Sequence, residues 1–229
     1  MDDAPRSPQA LAKKVTEVIK PHLRGWLHLG AFPVTVIAGI VLVALSPSAT
    51  ARISTAIFAV TASLLFGVSA LYHRGRWSPE VQRRLKRLDH ANIFLIIAGT
   101  YTPFTLLLLP AGQARQLLLI VWIGALAGVL FRVFWVGAPR WLYVPVYVAL
   151  GWVAVVYTEG FLDGGGPAVL TLLIVGGGLY TLGGVVYGIK RPNPSPRWFG
   201  FHEIFHALTI GAFVVHYVGV SIVAYSSAS

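Results

Sequence analysis

Seven apolar runs, separated by short polar or Pro- and Gly-containing breaks, cover the chain from residue 25 to residue 225. They span residues 25–45, 53–72, 88–109, 117–136, 141–158, 168–189 and 199–225, and the fifth is the shortest. A helix needs about 20 apolar residues to cross a bilayer. The pattern therefore predicts an all-α fold, a single bundle of seven transmembrane helices in residues 25–229.

The first 24 residues are polar and basic, and they precede the first apolar run. Within them Leu11, Val15, Val18 and Ile19 recur at helical spacing, with lysines on the other faces. Two interpretations stay open for this cytoplasmic segment. It is either a short interfacial helix on anionic lipid head groups or a basic tail without fixed structure.

Composition supports the membrane assignment. Of the 229 residues, 56% are hydrophobic and 11% are charged, and the mean hydropathy is +0.72. A soluble domain is rarely this apolar, so we expect a multi-pass protein of the cell membrane. The chain has no cysteine, which excludes disulfides and thiolate metal ligands.

Basic residues predict the orientation of the bundle. If the N-terminus is cytoplasmic, sixteen of the eighteen Lys and Arg residues fall in cytoplasmic segments, and only Arg52 and Arg115 fall outside. The positive-inside rule then places the N-terminus in the cytoplasm and the C-terminus outside. The same distribution argues against a nucleic-acid partner, because the charge of +10 lies where anionic head groups would be.

The seventh run opens with the sequence His202-Glu-Ile-Phe-His206, a match to the H-E-x-x-H pattern of zinc proteases. Histidines four residues apart share one face of a helix, so both can reach one metal ion. In a zinc protease Glu203 would be the general base, and a third ligand would follow. One such family has a ligand six residues after the second histidine, where this chain has Ala212. A third protein ligand is therefore expected upstream.

Polar residues from three runs fall at one predicted depth, near the cytoplasmic face. His73 ends the second run, Ser69 lies one turn before it, Asp89 opens the third run, and His202 and His206 open the seventh. Taken singly, each has a plainer explanation: an interfacial histidine, a helix cap, a packing serine. Polar groups are costly in lipid, so their coincidence at one depth favours a metal site.

Four motifs together resemble the bacterial hemolysin III family. They are Ser69-Ala-Leu-Tyr-His73, Asp89-His-Ala91, Ala98-Gly-Thr-Tyr-Thr-Pro-Phe104 and His202-Glu-Ile-Phe-His206. That family belongs with the progestin and adiponectin receptors, and more widely with alkaline ceramidase-like membrane hydrolases. The resemblance implies a seven-helix fold that holds zinc near the cytoplasmic face. It implies His73, His202 and His206 as the zinc ligands, and it places Asp89 and Ser69 beside the water that the zinc binds.

Three histidines leave the fourth position of a tetrahedral zinc open, which is typical of a catalytic site. Zinc activates water at neutral pH, and Asp89 would orient that water or take its proton. The expected function is hydrolysis of a membrane lipid amide or ester. Glu203 points about 100° away from His202, so we expect it to pair with a basic residue or to face another helix.

His90 is turned off the Asp89 face by the same helical geometry. His216 lies roughly 20 Å deeper than His202, too far for the same metal, and is expected to serve packing. Two other functions stay open. One is a membrane sensor or regulator in which the zinc is structural, and the other is a cytolytic protein.

Overall fold

The computed structural model describes residues 21–227, and apart from an isolated bridge between Ser195 and Phe199 their regular secondary structure is helical. The α-helices are α1 Trp26–Leu45, α2 Ala49–Arg74, α3 Pro79–Leu108, α4 Ala111–Phe134, α5 Arg140–Gly151, α6 Thr158–Ile189 and α7 Phe201–Ser226. The all-α prediction is confirmed. The two interpretations of the N-terminal segment concern residues 1–24, of which residues 1–20 lie outside the described residues.

Six stretches of the described chain are long and apolar enough to cross a membrane. Five of them are α1, α2, α3, α4 and α7, and the remaining one is the whole of Arg140–Ile189. Large apolar side chains such as Ile37, Ile123 and Val218 are exposed on their outer faces. Such a surface is stable against lipid tails but not against water.

The stretch Arg140–Ile189 contains both the fifth and the sixth predicted runs. Its chain doubles back, because an Arg140 side-chain nitrogen donates to the Tyr187 carbonyl at 3.1 Å while Trp152 Nε1 donates to Thr181 Oγ1 at 2.8 Å. Thus α5 lies beside the second half of α6 and runs in the opposite direction. A 3-10 helix, Val153–Tyr157, joins the two.

Between the fifth and sixth runs, the glycines and the proline of residues 163–167 predict a break in the helix. This prediction is wrong in its extent, because the helix continues through Asp163 and is interrupted only at Gly166. Gly166 has φ of 72°, a backbone conformation that other residues rarely adopt. Pro167 follows it and has no N–H to continue the helical hydrogen bonds. The interruption is therefore a kink inside α6.

Helix α3 begins nine residues before its apolar run. Ser78 caps it by accepting a hydrogen bond from the Val81 N–H at 3.4 Å, and Pro79 occupies the first helical turn. Asp89 therefore lies in the third turn of α3. The plainer explanation of Asp89 as the cap of its helix is wrong.

Packing brings the start of α7 to the end of α2. Each of the first four helices packs on the next, α6 packs along α7, and α7 also contacts α1, α2 and α3. Phe58, Phe66, Phe94, Phe104 and Phe213 fill the core that these helices share. Because α7 contacts three of the first four helices, residues from distant parts of the chain meet at its first turns.

Candidate metal centre

His73, His202 and His206 form one buried cluster. One ring nitrogen from each lies within 4.8 Å of the others, and Nε2 of His73 is 3.2 Å from Nε2 of His202. Nδ1 of His206 is buried and has no hydrogen-bond partner. Three buried imidazoles that converge in this way can hold a metal ion, and a shared cation would satisfy ring nitrogens that hydrogen bonds alone do not.

Local backbone geometry positions each histidine. His73 lies in the last turn of α2, while His202 and His206 lie one turn apart at the start of α7. Gly25 precedes α1 with φ of 81°, and a side-chain Cβ there would come within 2.6 Å of the Cβ of His73. A glycine at this turn therefore allows the start of α1 to pack directly on His73.

The Glu203 carboxylate is fully engaged away from the histidines. One of its oxygens accepts from Arg24 Nε and the other accepts from the Gly200 N–H at 2.8 Å. The His22 N–H also donates to the Arg197 carbonyl at 2.8 Å, so the segment before α1 is fixed to the segment before α7. The prediction that Glu203 pairs with a basic residue is confirmed. These hydrogen bonds fix the segment before α1 to the start of α7, and they leave Glu203 no free oxygen to act as a general base.

Asp89 and Ser69 lie beside the cluster. Asp89 Oδ2 is 3.9 Å from His73 Nε2, and its side chain is 12% exposed. The Ser69 side chain is almost fully buried and close enough to the Asp89 carboxylate to hydrogen-bond with it. The structure therefore brings together all five residues that the sequence singled out.

Two cavities meet at this cluster. An apolar cavity of about 160 Å³ extends into the bundle, lined by residues such as Ile97, Phe104, Val148, Phe161 and Leu173. A wider, more polar opening of about 780 Å³ lies on the other side. Four residues line both: Asp89, His90, Tyr187 and His202. The histidine cluster is thus at the junction of an apolar and a polar space.

Residues 16–217 match the family described as Haemolysin-III related. This chain belongs to that family. It is 27% identical to Hemolysin-3 of Bacillus cereus over 202 residues, which cover 86% of this chain and 89% of that protein. It is 34% identical to the Hemolysin-3 homolog of Bacillus subtilis (strain 168) over 159 residues, 69% of this chain and 71% of that protein.

A further relative is the Adiponectin receptor protein of Drosophila melanogaster, 30% identical over 184 residues, 72% of this chain and 41% of that protein. The resemblance drawn from the four motifs is confirmed. Its family and its apolar helices make this chain a multi-pass integral membrane protein.

One histidine beside the cluster, His28, was not predicted from the sequence of this haemolysin-III related protein. The His28 ring stacks on the His206 ring, with centroids 3.8 Å apart and planes 14° apart, and the residue is 2% exposed. Its position three residues into the first run was a signal of depth, because it matches the predicted level of His73. The same argument that selected the other histidines could therefore have found it.

His90 and His216 have different surroundings. His90 is buried, and its Nδ1 is 2.7 Å from a terminal nitrogen of Arg132. It is turned off the cluster, as predicted, yet it lines both cavities. His216 is not part of the cluster, and it packs near Phe104 and Tyr180, with ring centroids 6.1 and 5.7 Å away. The packing role predicted for it agrees with these contacts.

Proposed function

We propose that this protein is a zinc-dependent hydrolase that cleaves an amide or ester linkage of a membrane lipid at the cytoplasmic leaflet. The observation that carries the proposal is the position of the three-histidine cluster. It lies beside Asp89 and Ser69, where an apolar cavity meets a polar opening. A lipid has the same division between an apolar chain and a polar head.

Zinc fits the donor set best. His73, His202 and His206 supply three neutral nitrogen ligands, and imidazole without thiolate is a common set for catalytic zinc. Three protein ligands leave one coordination position open. Bound there, zinc would supply a Lewis acid that activates water at neutral pH.

Asp89 would do the proton chemistry. Its carboxylate lies at the junction of the cavities, where it can accept a proton from the attacking water and return it to the leaving group. Ser69 lies close enough to hydrogen-bond that carboxylate and would limit its rotation. Glu203 takes no part, because Arg24 and Gly200 occupy both of its oxygens.

The apolar cavity would receive an acyl chain. Most of its walls are side chains of α3, α5, α6 and α7, and most of these are aliphatic or aromatic. A chain that enters it places its carbonyl carbon near His202 and Asp89, which line the end shared with the opening. This orientation brings the scissile linkage to the histidine cluster and keeps the rest of the chain out of water.

We further propose seven crossings with the N-terminus in the cytoplasm and the C-terminus outside. The doubled-back chain in Arg140–Ile189 supports two crossings there, because α5 and the second half of α6 run in opposite directions. The distribution of basic residues supports the orientation. The cluster then lies near the cytoplasmic face.

Reporter fusions test this topology. A reporter fused after residue 229 should be active only outside the cytoplasm, and one inserted between α2 and α3, after Arg76, only inside. An even number of crossings would put both reporters on the same side. A reversed pattern would place the cluster near the outer face and contradict the proposed leaflet.

Lipid hydrolysis by the purified protein tests the activity. In nanodiscs, the protein should release fatty acid from an amide- or ester-linked lipid, a strong zinc chelator should abolish the release, and added zinc should restore it. Zinc binding without release from any lipid would favour the sensor alternative.

The Bacillus relatives are named Hemolysin-3, so a cytolytic protein is the second candidate. Dye leakage from liposomes that is independent of the chelator would favour it.

A further inference from the structure

Arg132 is a buried cation without an acidic partner. It lies in the last turn of α4 and is 1% exposed, and no Asp or Glu in the part of the chain that the structure describes forms an ion pair with it. A terminal nitrogen is 2.7 Å from His90 Nδ1, and the guanidinium lies 4.2 Å from the Tyr143 ring centroid. Its terminal nitrogens also donate long hydrogen bonds to the Trp135 and Val136 carbonyls at 3.4 and 3.5 Å, while its buried Nε has no hydrogen-bond partner. None of these partners carries a negative charge. A buried charge of this kind is costly unless something neutralises it.

Five basic residues line the polar opening: Arg24, Lys86, Arg132, Arg140 and Lys190. Arg24 pairs with Glu203, and we call Lys86, Arg132 and Arg140 the basic mouth. Within the described chain none of the three forms an ion pair. Arg140 is held over the Tyr187 ring, 4.4 Å from its centroid. Asp89 is the one acidic side chain among the described residues that line the opening. The basic mouth therefore presents three positive charges to whatever enters.

The general preference for cations on the cytoplasmic face does not account for Arg132. That preference explains exposed residues such as Arg83 and Arg87, which remain in water and attract head groups from a distance. It gives no reason to bury a guanidinium. An arginine held inside a lined opening is instead typical of a site that binds an oxyanion through two parallel hydrogen bonds.

We propose that the basic mouth binds a phosphate group, and that the substrates are membrane lipids with a phosphate-bearing head. A phosphate carries up to two negative charges and several acceptor oxygens, which suits three cations better than a single carboxylate does. The residues shared by the two cavities supply the geometry. Such a lipid would place its phosphate in the basic mouth and its acyl chain in the apolar cavity. The part of the lipid between these two ends would lie next to His202 and Asp89.

The substrate class rests on the proposed hydrolase function, but the binding site does not, so binding is measured without turnover. The probes are a dialkyl ether glycerol with a phosphate head and the same ether lipid without phosphate. Neither has an ester or amide to cleave. The full-length, zinc-loaded protein should bind the phosphate lipid at least about 10-fold more tightly than the neutral one.

Arg132→Gln should remove this preference. It should weaken binding of the phosphate lipid by about 10- to 100-fold and leave binding of the neutral lipid unchanged. Arg132→Lys should retain part of it, because the charge remains without the fork. Arg83→Gln is the matched control: it removes one exposed charge from α3 outside the opening and should change nothing. Arg140→Gln tests the site at its partly exposed rim in case Arg132→Gln does not fold.

Equal binding of the two lipids by the wild-type protein overturns the proposal. So does a preference that Arg83→Gln weakens as much as Arg132→Gln and Arg140→Gln do, because general surface charge would then explain it. Inorganic phosphate that displaces the lipid at equal concentration would show a site for free phosphate and would overturn the lipid class. A preserved preference in a protein that hydrolyses no lipid refutes the hydrolase and leaves the phosphate site standing.

Discussion

Replacing His73 with alanine should remove nearly all bound metal, and so should replacing His202 or His206. The wild-type protein is expected to carry about one zinc per chain, held by three imidazoles that converge within 4.8 Å. Two remaining histidines cannot complete the site, so the loss of affinity should exceed the roughly 10- to 100-fold typical of an outlying partner. Elemental analysis of monodisperse protein after dialysis against a weak chelator measures the result.

Two variants on the same helix provide the controls. His216→Ala removes a buried histidine outside the cluster and should leave the metal content unchanged. Glu203→Gln should also retain the metal, although its unfolding temperature should fall because Arg24 loses its charged partner. If Glu203→Gln loses the metal while His73→Ala keeps it, the zinc-protease interpretation returns and the cluster assigned here is wrong.

The cluster could be predicted from sequence because two physical rules restrict it strongly. Helical spacing puts His202 and His206 on one face, and the cost of polar groups in lipid makes each buried histidine or aspartate exceptional. The distribution of basic residues then predicts which end of each run is cytoplasmic. This prediction places His73 and Asp89 at the same depth as His202 and His206. The structure places all of them together.

Helix ends could not be predicted in the same way, because an apolar run marks the part of a helix that lies in lipid. Six of the first nine residues of α3 are polar or charged, and the Ser78 cap and the Glu80–Arg84 pair stabilise this part of the helix outside the apolar run. The break around Gly166 was predicted as a loop because Gly and Pro interrupt helices. In the structure the helix is interrupted at Gly166 alone and continues on both sides.

Contacts between helices are the other part that sequence does not reveal. Depth and face can be assigned to Arg132 from its run, but nothing in its neighbours indicates that it lies buried against His90 and Tyr143 from other helices. The same is true of the stacking of His28 on His206. Such contacts depend on which helices pack side by side, and periodicity does not determine that.

Asp89→Asn should keep the zinc and lose most of the hydrolysis. The three histidines remain, and Asp89 Oδ2 is 3.9 Å from His73 Nε2, a position beside the ligands. An amide cannot accept the proton of the attacking water, and loss of a general base typically lowers the rate by about 10² to 10⁴. Ser69→Ala should have a smaller effect, because it frees the carboxylate to rotate without removing it.

Zinc stoichiometry and lipid hydrolysis must be measured on the same Asp89→Asn sample at saturating zinc, because loss of an outlying partner can weaken metal binding about 10- to 100-fold. Full zinc with lost hydrolysis is the expected result, and it would separate metal binding from proton transfer. Complete loss of zinc would make Asp89 a fourth ligand, which closes the site to water and contradicts the proposed chemistry. Unchanged hydrolysis would leave Asp89 without a catalytic role, and a bundle that cleaves lipid without it would need another base at the junction of the two cavities.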